Sequence, residues 1–342
     1  MTLTAFPNGI SSFGIPVLGG FGGLPFTGNY FFVDPVNGAD GNPGSSELPL
    51  ATLYGALAKC VSGNNDVVFL VGDGTSTGTA RLSTAGAQTI DSTATTGTLT
   101  WNKNATHLIG ITAPTRVGGR ARIAPPTGTY TAATFNATAF VNVTGAGCLF
   151  ANLDVFCGFS TGNASMIAWT DAGGRNAYIN VNIQGLGDAA SAQGTGARSL
   201  KITSSENTFT DCVIGLDTVT RTVANATLEF ASGATRNTFQ CCDFPFQTSA
   251  ATPLGIIVSA AAGIDRWTKF DRCAFINNVQ STSTTMSALA TLPASAGGLL
   301  LMKDCTLVGI TEFGTDATSR GQVYVDGGTV TAATSGIAVN PT

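Results

Sequence analysis

The feature that most constrains this 342-residue chain is a repeat in its second half, with a period of about thirty residues. Four segments carry it: NTFTDCVIG (207–215), NTFQCCDFP (237–245), TKFDRCAFI (268–276) and LLMKDCTLV (300–308). Each places a large apolar residue three positions before a cysteine and another apolar residue two positions after it. Three ladders result: Phe209, Phe239, Phe270, Met302; Cys212, Cys242, Cys273, Cys305; and Ile214, Phe244, Phe275, Leu307. With substitutions the pattern runs upstream to Tyr178, Val181, Ile183 and to Phe150, Leu153, Val155. A second short apolar segment precedes each unit, at 141–143, 166–169, 200–202, 228–230 and 256–258.

A unit of this length cannot bury its apolar face alone. Stacked on copies of itself at the interstrand spacing of about 4.8 Å, it buries a continuous core. The expected fold is therefore all-β: a single-chain right-handed parallel β-helix with coils of about thirty residues. The step of three between the aromatic and the cysteine breaks strict alternation, so each coil must bend between them. Intervening stretches at 184–198, 217–226, 245–254 and 277–298 should leave the shaft as loops.

Composition agrees. Charged residues make up 11% of the chain, under half of the roughly 25% usual for a globular domain. Such a chain lacks the material for charged helix faces but suits short strands and turns. The net charge is −4, without a basic run, so nucleic acid is not an expected partner. No run is long and apolar enough to predict a membrane span, and the opening lacks the basic start of a signal peptide. The eight cysteines follow the structural period. Side chains stacked in register point the same way, a poor geometry for bridging, so buried free thiols and a reducing site of synthesis are expected.

Four regions are expected: 1–28, 29–75, 76–330 and 331–342. Residues 1–28 are uncharged and rich in Phe, Gly and Pro. Phe6, Phe13, Phe21 and Phe26 fit an extended arm that docks on a partner. Residues 29–75 form a cap: a strand at Tyr30–Val33, a turn-rich segment at 34–49, a short helix over 53–61 with Thr52 as N-cap, and a buried strand over 67–71. The coils fill 76–330, and a tail follows at 331–342.

Catalytic signals are sparse. His107, the only histidine, lies in the apolar run THLIGI and reads as structural, which removes Ser–His and Cys–His pairs. Aligned rows beside the cysteines read Asp211, Cys241, Arg272, Asp304 and Thr210, Gln240, Asp271, Lys303; neither sets two acids on adjacent coils, as a glycosidase needs. Asp188 and Asp217, in corresponding loops, are the surviving pair. Asp34 and Asp40, with Asn37 and Asn42, offer oxygens for Ca²⁺, although an Asx-rich turn accounts for them without a metal. No cofactor is expected.

The block YFFVDPVNGADGNPGSSELPLATLYGALAK followed by DVVFLVGDG resembles the amino-terminal cap of pectin-lyase-like parallel β-helix proteins, and FPNGISSFGIPVLGG resembles the opening of small β-helix proteins of tailed-bacteriophage virions. The resemblance implies a homotrimer on a virion, assembled in the host cytoplasm. With no matching acid pair, the expected role is a non-enzymatic capsid decoration or cement protein whose arm binds the major capsid protein or another virion protein. The alternative is a tailspike or fibre that binds host surface glycan, with or without cleaving it.

Overall fold

The computed structural model describes residues 11–12, 15–16, 28–72, 98–112, 121–124, 139–158, 164–278, 284–294, 296–316, 319, 323–325 and 328–329. Phe6, Phe13, Phe21, Phe26 and the tail at 331–342 lie outside them. The fold is a right-handed parallel β-helix. An eight-stranded parallel sheet runs Leu99–Trp101, Ala139–Val143, Ile167–Asp171, Arg198–Ile202, Ala226–Phe230, Leu254–Val258, Met286–Thr291 and Ile310–Gly314. A sixteen-stranded sheet closes the other sides of the coils.

That larger sheet bends at one position per coil. Asn152, Asn180, Asp211, Cys241, Arg272 and Asp304 all have φ between 49° and 56°. Each directly precedes an inward residue: Leu153, Val181, Cys212, Cys242, Cys273 or Cys305. The left-handed residue is the bend that the spacing of three requires. Asn and Asp tolerate this conformation; Cys241 and Arg272 occupy it at a cost of about 1–2 kcal/mol. The row that includes Cys241 is thus a corner row, and its residues are chosen by backbone shape.

Inside the corner the ladders stack in register. Tyr178 lies 4.3 Å from Phe209, Phe209 4.6 Å from Phe239, and Phe239 4.8 Å from Phe270, all near parallel. Met302 pairs with Phe270 in the next coil. The thiols do more than fill space. Cys242, Cys273 and Cys305 each donate to the carbonyl of the ladder aromatic one coil back, Phe209, Phe239 and Phe270, at 3.5 Å. None of the eight cysteines forms a disulfide, and seven of them are buried.

A second ladder guards the entrance to the larger sheet. Asn176, Asn207 and Asn237 are buried, and each side-chain oxygen accepts the backbone N–H one coil earlier: Cys148 at 2.8 Å, Asn176 at 2.9 Å and Asn207 at 3.0 Å. These bonds satisfy donors where the chain turns and no strand partner is in line. At the amino end, helix Leu53–Lys59 packs Leu53, Ala56 and Leu57 against the first coil, with Thr52 as N-cap. The helix ends two residues earlier than 53–61.

Two substitutions test this account by chemical denaturation. Phe239→Ala, in mid-stack, should cost about 3–5 kcal/mol. Cys241→Asn should match or exceed the parent's stability, whereas Cys241→Val, β-branched at a left-handed position, should lose about 1–2 kcal/mol.

Candidate functional site

Alternation along the strands of the eight-stranded sheet sends one row of side chains outward. Register places Thr100, Asn142, Thr170, Lys201, Glu229, Ile257 and Thr291 side by side on successive coils. Thr315 continues the row, donating its hydroxyl to that of Thr291 at 3.0 Å. On either side in sequence, Leu200 and Ile202, Leu228 and Phe230, Ile256 and Val258 are in the core. The row is therefore a stripe of hydrogen-bonding side chains along the outside of the shaft, interrupted by Ile257. At its carboxyl end the sheet surface opens into a groove of about 390 Å³, lined by Ala251, Thr285, Ser287, Ala288, Thr311, Glu312 and Thr315.

Charge enters the row at its middle. Glu229 accepts from Arg198 Nε at 2.9 Å and from the Ser259 hydroxyl at 2.7 Å, and Lys201 Nζ stands 3.2 Å from its other side. Burial alone would raise the Glu229 carboxyl; the Ser259 hydroxyl and the two cations outweigh it and hold it below the usual carboxylate range. Two cations against one carboxylate leave this cluster with one excess positive charge. Arg198 is buried, and Lys201 is the partly exposed member. Glu229 and Glu312 lie three strands and three register positions apart, more than about 14 Å, too far for a pair that shares one glycosidic bond.

The residues expected from sequence fall elsewhere. Asp188 caps helix Ala189–Ala192, accepting from Ala190 N and Ser191 N at 3.0 and 2.9 Å. Asp217 is exposed on the next coil's turn. Because Ile183 pairs with Ile214, Asp188 is five residues beyond the paired position and Asp217 three beyond, so the two are out of step. Asp34 forms an Asx turn with Val36 N and Asn37 N at 2.9 and 3.0 Å. Asp40 accepts from Ala51 N, Thr52 N and the Thr52 hydroxyl, tying the turn to the helix N-cap. Among the described residues no cluster of three or more His, Cys, Asp or Glu side chains is placed to hold a metal. Asp171 is buried in a closed network with Tyr178, Ser204 and Asn176.

His107 is buried, and its Nδ1 accepts from Leu149 N at 3.0 Å. Burial pushes its pKa from 6.5 down to about 4, opposed by Asp66. The folded value lies below the unfolded one, so the unfolded chain takes the proton first as pH falls. Stability should therefore be complete above pH 6.5 and decline toward pH 4, by a total of about 3 kcal/mol. Urea unfolding at pH 7 and pH 4 checks this: His107→Gln should lose less than the parent over that interval.

No protein-family model matches the chain, and no curated protein matches it in sequence. Solved structures do match. A rhamnogalacturonan lyase has a TM-score of 0.53 at 14% identity, over 85% of this chain and 71% of that one. A pectin methylesterase from Aspergillus niger has 0.48 at 12%, over 89% and 83%, and one from Erwinia chrysanthemi 0.38 at 10%, over 87% and 69%. At these identities the likeness is one of fold.

The match with a TM-score above 0.5 is by name a rhamnogalacturonan lyase, not a virion protein. It corrects the reading as a non-enzymatic capsid decoration or cement protein. With it fall the virion location, assembly in a host cytoplasm, the arm's docking on the major capsid protein, and the homotrimer that came with the phage resemblance. The ladder thiols have a structural role that needs no reducing compartment to explain it: each packs in the core and donates to a backbone carbonyl one coil back. The acid-poor rows 210–303 and 211–304 belong to the larger sheet and its corner; the outer face of the eight-stranded sheet carries different residues.

Proposed function

We propose that this chain is a polysaccharide-active β-helix protein that takes an extended acidic glycan along the outer face of the eight-stranded sheet, with Lys201 receiving a uronate carboxylate. The observation that carries this reading is the in-register polar row with its one net-positive cluster. A glycan chain repeats at nearly the length of one sugar ring, close to the rung spacing, so hydroxyls on successive coils can meet successive residues. Arg198 and Lys201 both pair with Glu229, and Lys201 is the partly exposed one that an acidic sugar can reach.

A fixed cation at Lys201 can neutralise the carboxylate of a bound uronate. The rhamnogalacturonan named for the structure of like fold is a polymer of this kind, which supports the choice of substrate class.

Affinity electrophoresis through polygalacturonate, rhamnogalacturonan and a neutral glucan tests the proposal. Acidic gels should retard the protein and added salt should release it. Lys201→Met should weaken retardation about tenfold or more, the worth of a hydrogen bond to a charged group. Equal retardation by the neutral glucan, or an unchanged Lys201→Met, would overturn the assignment.

A further inference from the structure

The outer row of the eight-stranded sheet does not end on a flat surface. Thr315, its last member, is also a wall of the groove of about 390 Å³ at the carboxyl end of the sheet. That volume is in the range of small-ligand sites. The groove exists because the side chains there are short. Ala251, Ser287 and Ala288 leave open the space that larger residues would fill. Backbone bonding fixes its shape. Ser287 donates both its N–H and its hydroxyl to the Ala251 carbonyl, at 2.9 and 2.8 Å, and Ala288 is in register with Glu312 on the neighbouring strand.

The chemistry of this end differs from that at Lys201. The hydroxyls of Ser287, Thr311 and Thr315 line the groove, and Glu312 adds a carboxylate. A second carboxylate, Asp316, stands 3.5 Å from the Thr315 hydroxyl. Among the described residues that line the groove there is no cation. A carboxylate has several acceptor positions, so Glu312 can take hydrogen bonds from sugar hydroxyls whatever else it pairs with. Another carboxylate offers it no donor and repels it. Lys201 lies four strands back along the sheet, about 19 Å. A glycan on this face therefore meets a cation at one point and, four rungs on, a groove of hydroxyls and carboxylate.

We infer that the groove is a specificity site for an uncharged sugar unit of the bound polymer, with Glu312 accepting its hydroxyls and excluding a free uronate. This deepens the glycan reading and rests on it. It adds that the substrate carries uncharged units as well as uronates, so a polymer charged at every residue is the poorer ligand.

A pair of polymers that differ only in charge tests this: polygalacturonate, and the same polymer partly methyl-esterified. Retardation of the full chain in each gel is measured against a polymer-free gel. Glu312→Gln, which keeps the shape and removes the charge, should tighten binding to polygalacturonate about fivefold, the worth of one close like-charge contact in water. Binding to the esterified polymer should stay within about twofold of the parent's, less than a single such contact is worth. Glu47→Gln, an exposed carboxylate in the amino-terminal cap, should change neither. Ala251→Trp, which fills the groove, should weaken binding to the esterified polymer about threefold or more, the loss of at least one ordinary hydrogen bond. Glu312→Gln acting equally on both polymers or on neither, or Ala251→Trp without effect, would overturn the inference. Lys201→Met separates the two levels. If it weakens binding while Glu312→Gln is silent, only the groove assignment fails; if it too is silent, the placement of the glycan on this face has failed.

Discussion

Everything in this molecule depends on coils being held in register at their corners. A parallel β-helix has no hairpins to fix strand pairing, and a slip of one residue would turn every inward side chain outward. Here the left-handed residues at 152, 180, 211, 241, 272 and 304 set the bend at the same place in each coil. The aromatic stack then locks neighbouring coils at ring contact, and the asparagine ladder satisfies backbone donors where no strand can. These three devices act on the same few residues of each coil, so pairing, packing and polar satisfaction agree on one register.

The rigid shaft that results has two outer faces of different character. At the corner of the larger sheet, Asp271 is flanked by Lys269 at 2.9 Å and Arg272 at 3.5 Å, and Asp304 stands 3.5 Å from Lys303. On the eight-stranded sheet, Arg198 and Lys201 share Glu229. What distinguishes the second cluster is burial: Glu229 and Arg198 are buried beneath the surface and Lys201 is partly exposed.

The core was legible in the sequence because its chemistry repeats. Phe209, Phe239 and Phe270 are identical residues in identical settings, and the step of three to each cysteine announced the bend. The helix after Thr52 was legible from its cap. The asparagine ladder could have been found, since Asn176, Asn207 and Asn237 open the same segments that carry the Phe ladder. The outer row could not be found by period. Its members, from Thr100 through Lys201 and Glu229 to Thr291, differ chemically from coil to coil. Loops of unequal length also space them unevenly along the chain. Only the pairing register aligns them.

The claim on which the functional account rests is that the eight-stranded sheet carries the glycan. A crystal structure of the chain soaked with an acidic oligogalacturonide tests it most directly. The account predicts density running parallel to the helix axis along Thr170, Lys201 and Ile257, with a uronate carboxylate against Lys201 Nζ. Density on the larger sheet, or across the coils with no contact to Lys201, would contradict it.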